Sequence, residues 1–134
     1  MATLALYTGA QSQTKSRLKK NNRSIEIAGN WKLISIETNT HVIDTAFQKS
    51  NKLSITFTGD HTYKCFLSEN TCYGTYNLKN GFFMNAGGCT KICCDDEIST
   101  KFYDYLIHAD GAMIDNKHHL VILSQEHILT FERQ

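Results

Sequence analysis

KLSITFTGDHTYKCFL, residues 52–67, alternates apolar and polar residues on both sides of a Gly-Asp pair. Leu53, Ile55 and Phe57 point one way, and Ser54, Thr56 and Thr58 point the other. A period of two is the mark of a strand, because successive side chains leave a pleated chain on opposite faces. Gly59–Asp60 supplies a turn, Thr62–Leu67 a second strand, and the two make an antiparallel hairpin.

The same period extends outward in both directions. NWKLISIE (30–37) alternates around Trp31, Leu33 and Ser35. CYGTYNLKNGFFMNA (72–86) predicts another hairpin, Tyr73–Leu78 and Phe82–Asn85, turning at Lys79–Asn80–Gly81. Asn-Gly favours that turn because both residues tolerate positive φ. GAMIDN (111–116), HHLVILSQ (118–125) and HILTFER (127–133) read as three further strands. One segment breaks the rhythm. In DDEISTKFYDYLIHADG (95–111), Ile98, Phe102, Tyr105 and Leu106 fall at helical spacing. Asp95 or Asp96 is placed to cap that helix, acidic residues complement its dipole, and Gly111 lies past its end. The inventory predicts an α+β, mainly antiparallel β fold. Its form is a curved sheet or half-barrel of about seven or eight short strands, with one helix packed against it.

Length and composition bound the function. A chain of 134 residues, 41% hydrophobic and 20% charged, suits one globular domain. Fourteen Lys and Arg balance thirteen Asp and Glu, a net charge of +1. That supplies no one-signed patch for nucleic acid, and no apolar run approaches the length of a spanning helix. MATLALYTGAQSQ (1–13) looks like the back half of a secretory signal without its basic start, and TKSRLKKNNRS (14–24) reads as a solvated linker. Residues 1–27 are therefore expected to be a flexible N-terminal arm or signal remnant, and 28–134 the folded domain. A truncated signal would place the protein outside the cytoplasm, in the periplasm or cell envelope.

The five cysteines are Cys65, Cys72, Cys89, Cys93 and Cys94. Zinc sites take two separated cysteine pairs, whereas GGCTKICCDD (87–96) offers one cluster. Soft thiolates suit Cu(I), with His108, His118 or His119 assisting. A thiol at a helix start is activated by the dipole, but Asp95, Asp96 and Glu97 oppose a thiolate here. No nucleophile–base signature marks an enzyme, and no cofactor motif is present. Asp95, Asp96 and Glu97 lack calcium-loop spacing, and Gly87–Gly88 lacks phosphate-loop spacing and is predicted to be a turn. Two structural roles stay open for the thiols. One is a disulfide from Cys65 or Cys72 to Cys93 or Cys94, and the other is burial as small hydrophobes.

The order of these elements resembles the META domain family, which includes the HslJ-like heat-shock protein domain. The resemblance rests on Gly29, Trp31 and Leu33, then Leu53, Ile55 and Phe57, then Asn70, Gly74 and Tyr76. Thr90-Lys91-Ile92-Cys93-Cys94, the helix from Ile98 to Leu106, and the closing HHLVILSQEHILTFER complete the series. Glu69 stands where the family has cysteine, with Cys72 two residues beyond Asn70. The resemblance implies a non-enzymatic stress-response or interaction domain of the cell envelope, with a protein partner. A second resemblance is to lipocalin-like barrels, with Gly29 and Trp31 at the start and Arg133 stacked over the indole. It implies a carrier of a small apolar ligand. A thiol-based metal-binding protein is the third alternative.

Overall fold

The computed structural model describes residues 26–38, 53–79 and 81–134. Of the N-terminal arm only Glu26 and Ile27 are therefore described, and Asn80 of the second hairpin turn also lies outside the described residues. Among the described residues eight strands form one antiparallel sheet: β1 (Gly29–Glu37), β2 (Ser54–Phe57), β3 (Thr62–Phe66), β4 (Thr71–Asn77), β5 (Phe83–Cys89), β6 (Gly111–Ile114), β7 (Leu120–Ser124) and β8 (His127–Arg133). One helix, α1 (Glu97–Ile107), stands among the described residues. The spatial order is β5-β4-β3-β2-β1-β8-β7-β6. The sheet is thus two meanders joined where β1 pairs with β8, curled into a half-barrel. The chain crosses from the β5 edge to the β6 edge through α1, which packs against β5 and β7.

Alternation sets what faces inward. Trp31, Leu33, Ile55, Phe57, Tyr63, Cys65, Leu120, Ile122, Leu129 and Phe131 are all buried in one continuous core. Helix α1 adds Ile98, Phe102 and Leu106 from its apolar face, and Phe102 lies 6.0 Å from Phe131 between ring centroids. Phe57 packs edge-on against Tyr76 (4.9 Å) and Phe82 (6.0 Å). Asp96 caps α1, its Oδ1 accepting from the Ser99 amide at 2.8 Å. No helix among the described residues is long and apolar enough to cross a membrane.

Trp31 ties the two meanders together. It pairs with Ile55 of β2 on one side and Arg133 of β8 on the other. Its Nε1 donates to the Ile27 carbonyl at 2.7 Å, and the Arg133 guanidinium stacks 4.2 Å from the ring centroid. Arg133 also donates to the Ala28 carbonyl (3.0 Å) and the Glu26 carbonyl (3.2 Å). Gly29 is required at this corner. Its φ is +134°, and a Cβ there would sit 2.6 Å from Arg133 Nη1.

Two strands differ from the sequence reading. In β1 a bulge between Leu33 and Ser35 breaks the alternation, so that Ile36 and not Ser35 is buried with Trp31 and Leu33. Gly87 and Gly88, predicted as a turn, continue β5 as far as Cys89 across a bulge opposite Tyr73 and Gly74. The reason is tertiary: the Tyr73 side chain lies against Gly88, so that a Cβ there would be 3.3 Å from its hydroxyl oxygen and 3.4 Å from two ring carbons. An aromatic side chain from the neighbouring strand covers the bare glycine backbone.

Phe102→Ala leaves a void where helix meets sheet and is expected to cost about 3–5 kcal/mol. Arg133→Met removes one cation–π contact and two hydrogen bonds and is expected to cost about 1–2 kcal/mol. Urea denaturation followed by circular dichroism reads both.

Candidate functional site

The connector from β5 to α1 carries the cysteine-rich stretch, and the turn between β3 and β4 holds it down. Asn70, buried in that turn, uses all four of its side-chain hydrogen-bonding positions. Its Nδ2 donates to the Ile92 carbonyl and to Asp95 Oδ2, both at 2.7 Å. Its Oδ1 accepts from Thr90 Oγ1 (2.7 Å) and the Ile92 amide (2.8 Å). Asp95 answers from the connector. Its Oδ1 accepts from the Glu69 amide (2.7 Å), the Asn70 amide (3.0 Å) and Ser68 Oγ (3.3 Å).

Turn amides turned away from a ladder need acceptors, and one carboxylate serves two of them. The third, Ser68 N, donates to Ser99 Oγ inside the first turn of α1 at 3.0 Å. Ser68 Oγ accepts from the Asp96 amide at 2.9 Å. The helix start is thereby stitched to the hairpin. Burial alone would raise the Asp95 carboxyl, but the hydrogen bonds from Asn70, Glu69 and Ser68 outweigh it and hold it below the ordinary carboxylate value.

The cysteines are arranged differently from the expected bridge between hairpin and pre-helix pair. Cys65, Cys72 and Cys89 stand in register across β3, β4 and β5. Cys72 bonds to Cys89, its directly opposite neighbour, with Cα atoms 4.0 Å apart. Register brings these two together, whereas the connector carries Cys93 and Cys94 to the exposed end, where their adjacent sulfurs are in bonding contact. Cys65 is a buried free thiol, and burial together with the nearby Asp95 charge pushes its pKa up. It stays protonated and unreactive.

The residues that carry the META resemblance fall in three regions. Asn70 and Thr90 meet in the node just described, with Cys93 and Cys94 beside it and Lys91 exposed on the connector. Gly74 sits at the bulge, where a Cβ would overlap the Asn85 carbonyl that Tyr63 OH also reaches at 3.1 Å. Tyr76 is buried on β4 and donates to the Thr58 carbonyl at 2.6 Å. Gly29 and Trp31 lie at the Arg133 corner. The sequence reading missed Ser68, Ser99 and the part Asp95 plays. The available signal was Ser-Glu-Asn between two strands, a turn rich in side-chain acceptors.

The outer face of β3–β5 is aromatic. Phe66 is 36% exposed, and Tyr73 and Phe83 are each 49% exposed. Lys64, Thr75, Asn77 and Asn85 surround them. The inner face is filled: Trp31, Ile55, Phe102, Leu106 and Phe131 are fully buried. No group of three or more His, Cys, Asp or Glu side chains converges among the described residues.

No known family profile matches this chain, and neither does any curated protein. Two solved structures share the fold. A DUF4847 family protein from Bacteroides vulgatus ATCC 8482 is 15% identical, with a TM-score of 0.60 over 83% of this chain and 97% of that one. A protein from Burkholderia xenovorans, solved by NMR, is 17% identical, with a TM-score of 0.63 over 86% and 87% of the two chains. At such identities the likeness is one of fold.

Because Asp95 is held as a carboxylate in the folded chain, its contribution is fully present above the ordinary value and falls away as pH drops through the lowered one. Wild type is expected to lose stability on acidification below about pH 4, and Asp95→Asn to lose less over the same range. Urea midpoints at stepped pH values check the sign. Peptide mapping without reductant should recover Cys72 linked to Cys89, with Cys65 alkylated only after unfolding.

Proposed function

We propose that this chain is a non-enzymatic interaction domain, META-like, that works in an oxidising compartment such as the periplasm or cell envelope. The observation that carries the reading is the set of aromatics left in solvent on the outer face of β3–β5, Phe66, Tyr73 and Phe83. Aromatic residues are enriched at the centres of protein interfaces, where a rigid ring contributes much area for little lost entropy. This face stands directly over the strands that the Cys72–Cys89 disulfide joins, so it is covalently braced. Closing a loop over a separation of 17 residues contributes about 3 kcal/mol in the chain-entropy model. Structural disulfides belong to oxidising compartments, which supports the placement outside the cytoplasm.

The lipocalin-like reading has one observation in its favour, the Arg133 guanidinium stacked over Trp31 behind Gly29. Against a carrier role stands the filled concave face, where the chain's own side chains occupy the space that a ligand would take. The thiol-metal reading is weaker still: Cys72 and Cys89 are bonded to each other and Cys65 is buried.

A benzophenone amino acid in place of Phe66, in protein exported to the envelope, is expected to yield on illumination a discrete adduct with another polypeptide. Absence of any adduct, together with saturable quenching of Trp31 fluorescence by a fatty acid, would favour the carrier instead.

A further inference from the structure

The two edges of the sheet are treated very differently. β6 is four residues long and is flanked by Asp110 and Asp115. That is how an edge is kept from pairing with strangers. β5 is seven residues long, about 23 Å at a strand's rise, and residues 81–90 (GFFMNAGGCT) contain neither a charge nor a proline; its one interruption is the bulge at Gly87, which leaves Phe83–Ala86 as the regular stretch of the edge. No strand pairs with its outer side among the described residues.

Alternation along the ladder tells which groups lie open. The Tyr76 amide bonds to His61 on the β3 side, and Thr71 accepts from the Thr90 amide on the β5 side. Thr75 and Asn77 therefore face β5, and their partners Asn85 and Phe83 face inward to β4. The backbone N–H and C=O groups of Met84 and Ala86 point to the open side.

We propose that β5 is the pairing edge of a homodimer, with a second copy's β5 laid antiparallel about a two-fold axis at Asn85. Met84 of each copy then exchanges both backbone hydrogen bonds with Ala86 of the other. Phe83 falls beside the partner's Gly87, which has no side chain to obstruct it, and close to the Tyr73 ring that lies on Gly88. Matching charge selects this occupant. An uncharged edge buries no unpaired charge against another uncharged edge, and β5 is such a segment at the same concentration as itself. Pairing covers Phe83 and Tyr73, two of the three aromatics exposed on this face. The inference rests on the interaction reading above and names its partner.

The test places like and unlike charges on the axis. At about 100 µM, where a micromolar association is largely complete, sedimentation of the wild type should report a dimer. Asn85 is exposed, and Asn85→Lys and Asn85→Asp each set two like charges directly opposite. Each variant alone is expected to be monomeric, with the thermal midpoint of wild type diluted to its monomer, and an equimolar mixture to recover the dimer. A monomeric wild type, a dimer that survives in both variants, or a mixture that stays monomeric would each overturn the proposal. A monomeric wild type that still gives an adduct of a different mass from position 66 sinks self-pairing and leaves the interaction reading intact.

Discussion

The apolar concave face of the sheet cannot be left in water, and α1 is what covers it. Eight strands turn Trp31, Leu33, Ile55, Phe57, Ile122, Leu129 and Phe131 to one side, and the helix adds Phe102 and Leu106 to the same core. A sheet this strongly one-faced is stable only when a second layer removes that face from water. The arrangement places a demand on the chain, because the covering helix must begin just after one edge strand and end just before the opposite one. The connector before it has to be held in a fixed place.

That demand explains the polar node. Asn70 and Asp95 join the β3–β4 turn to the β5–α1 connector, and Ser68 with Ser99 extends the join into the helix. These groups are partly buried, and burial of polar atoms is tolerated because each bond is made. The Cys72–Cys89 disulfide fixes the same region covalently, one strand pair away. The cysteine-rich stretch therefore begins with a staple and is then held by hydrogen bonds rather than by a bridge from its own later thiols.

Much of the fold was legible because period-two alternation is a local signal. The hairpin at 53–67, the closing strands and the first half of the strand at Trp31 fall where their patterns place them, and the helix is found from Ile98, Phe102 and Leu106. What could not be read depends on which strands become neighbours. Cys72 meets Cys89 because of a register set across two turns and a bulge. Gly87 and Gly88 extend a strand because Tyr73 from the next strand lies over them. By position Asp95 and Asp96 are equally placed to cap the helix. Asp96 takes that part, since Asp95 faces four turn donors whose location only the fold supplies.

Native-state hydrogen exchange of α1 against the sheet tests most directly whether the helix is the indispensable cover. If covering and covered layers depend on each other, the amides of Phe102–Leu106 exchange only through the same opening as those of Leu33 and Ile55, with equal free energies. Helix amides that exchange through a much cheaper opening, while the central strands stay protected, would contradict the account.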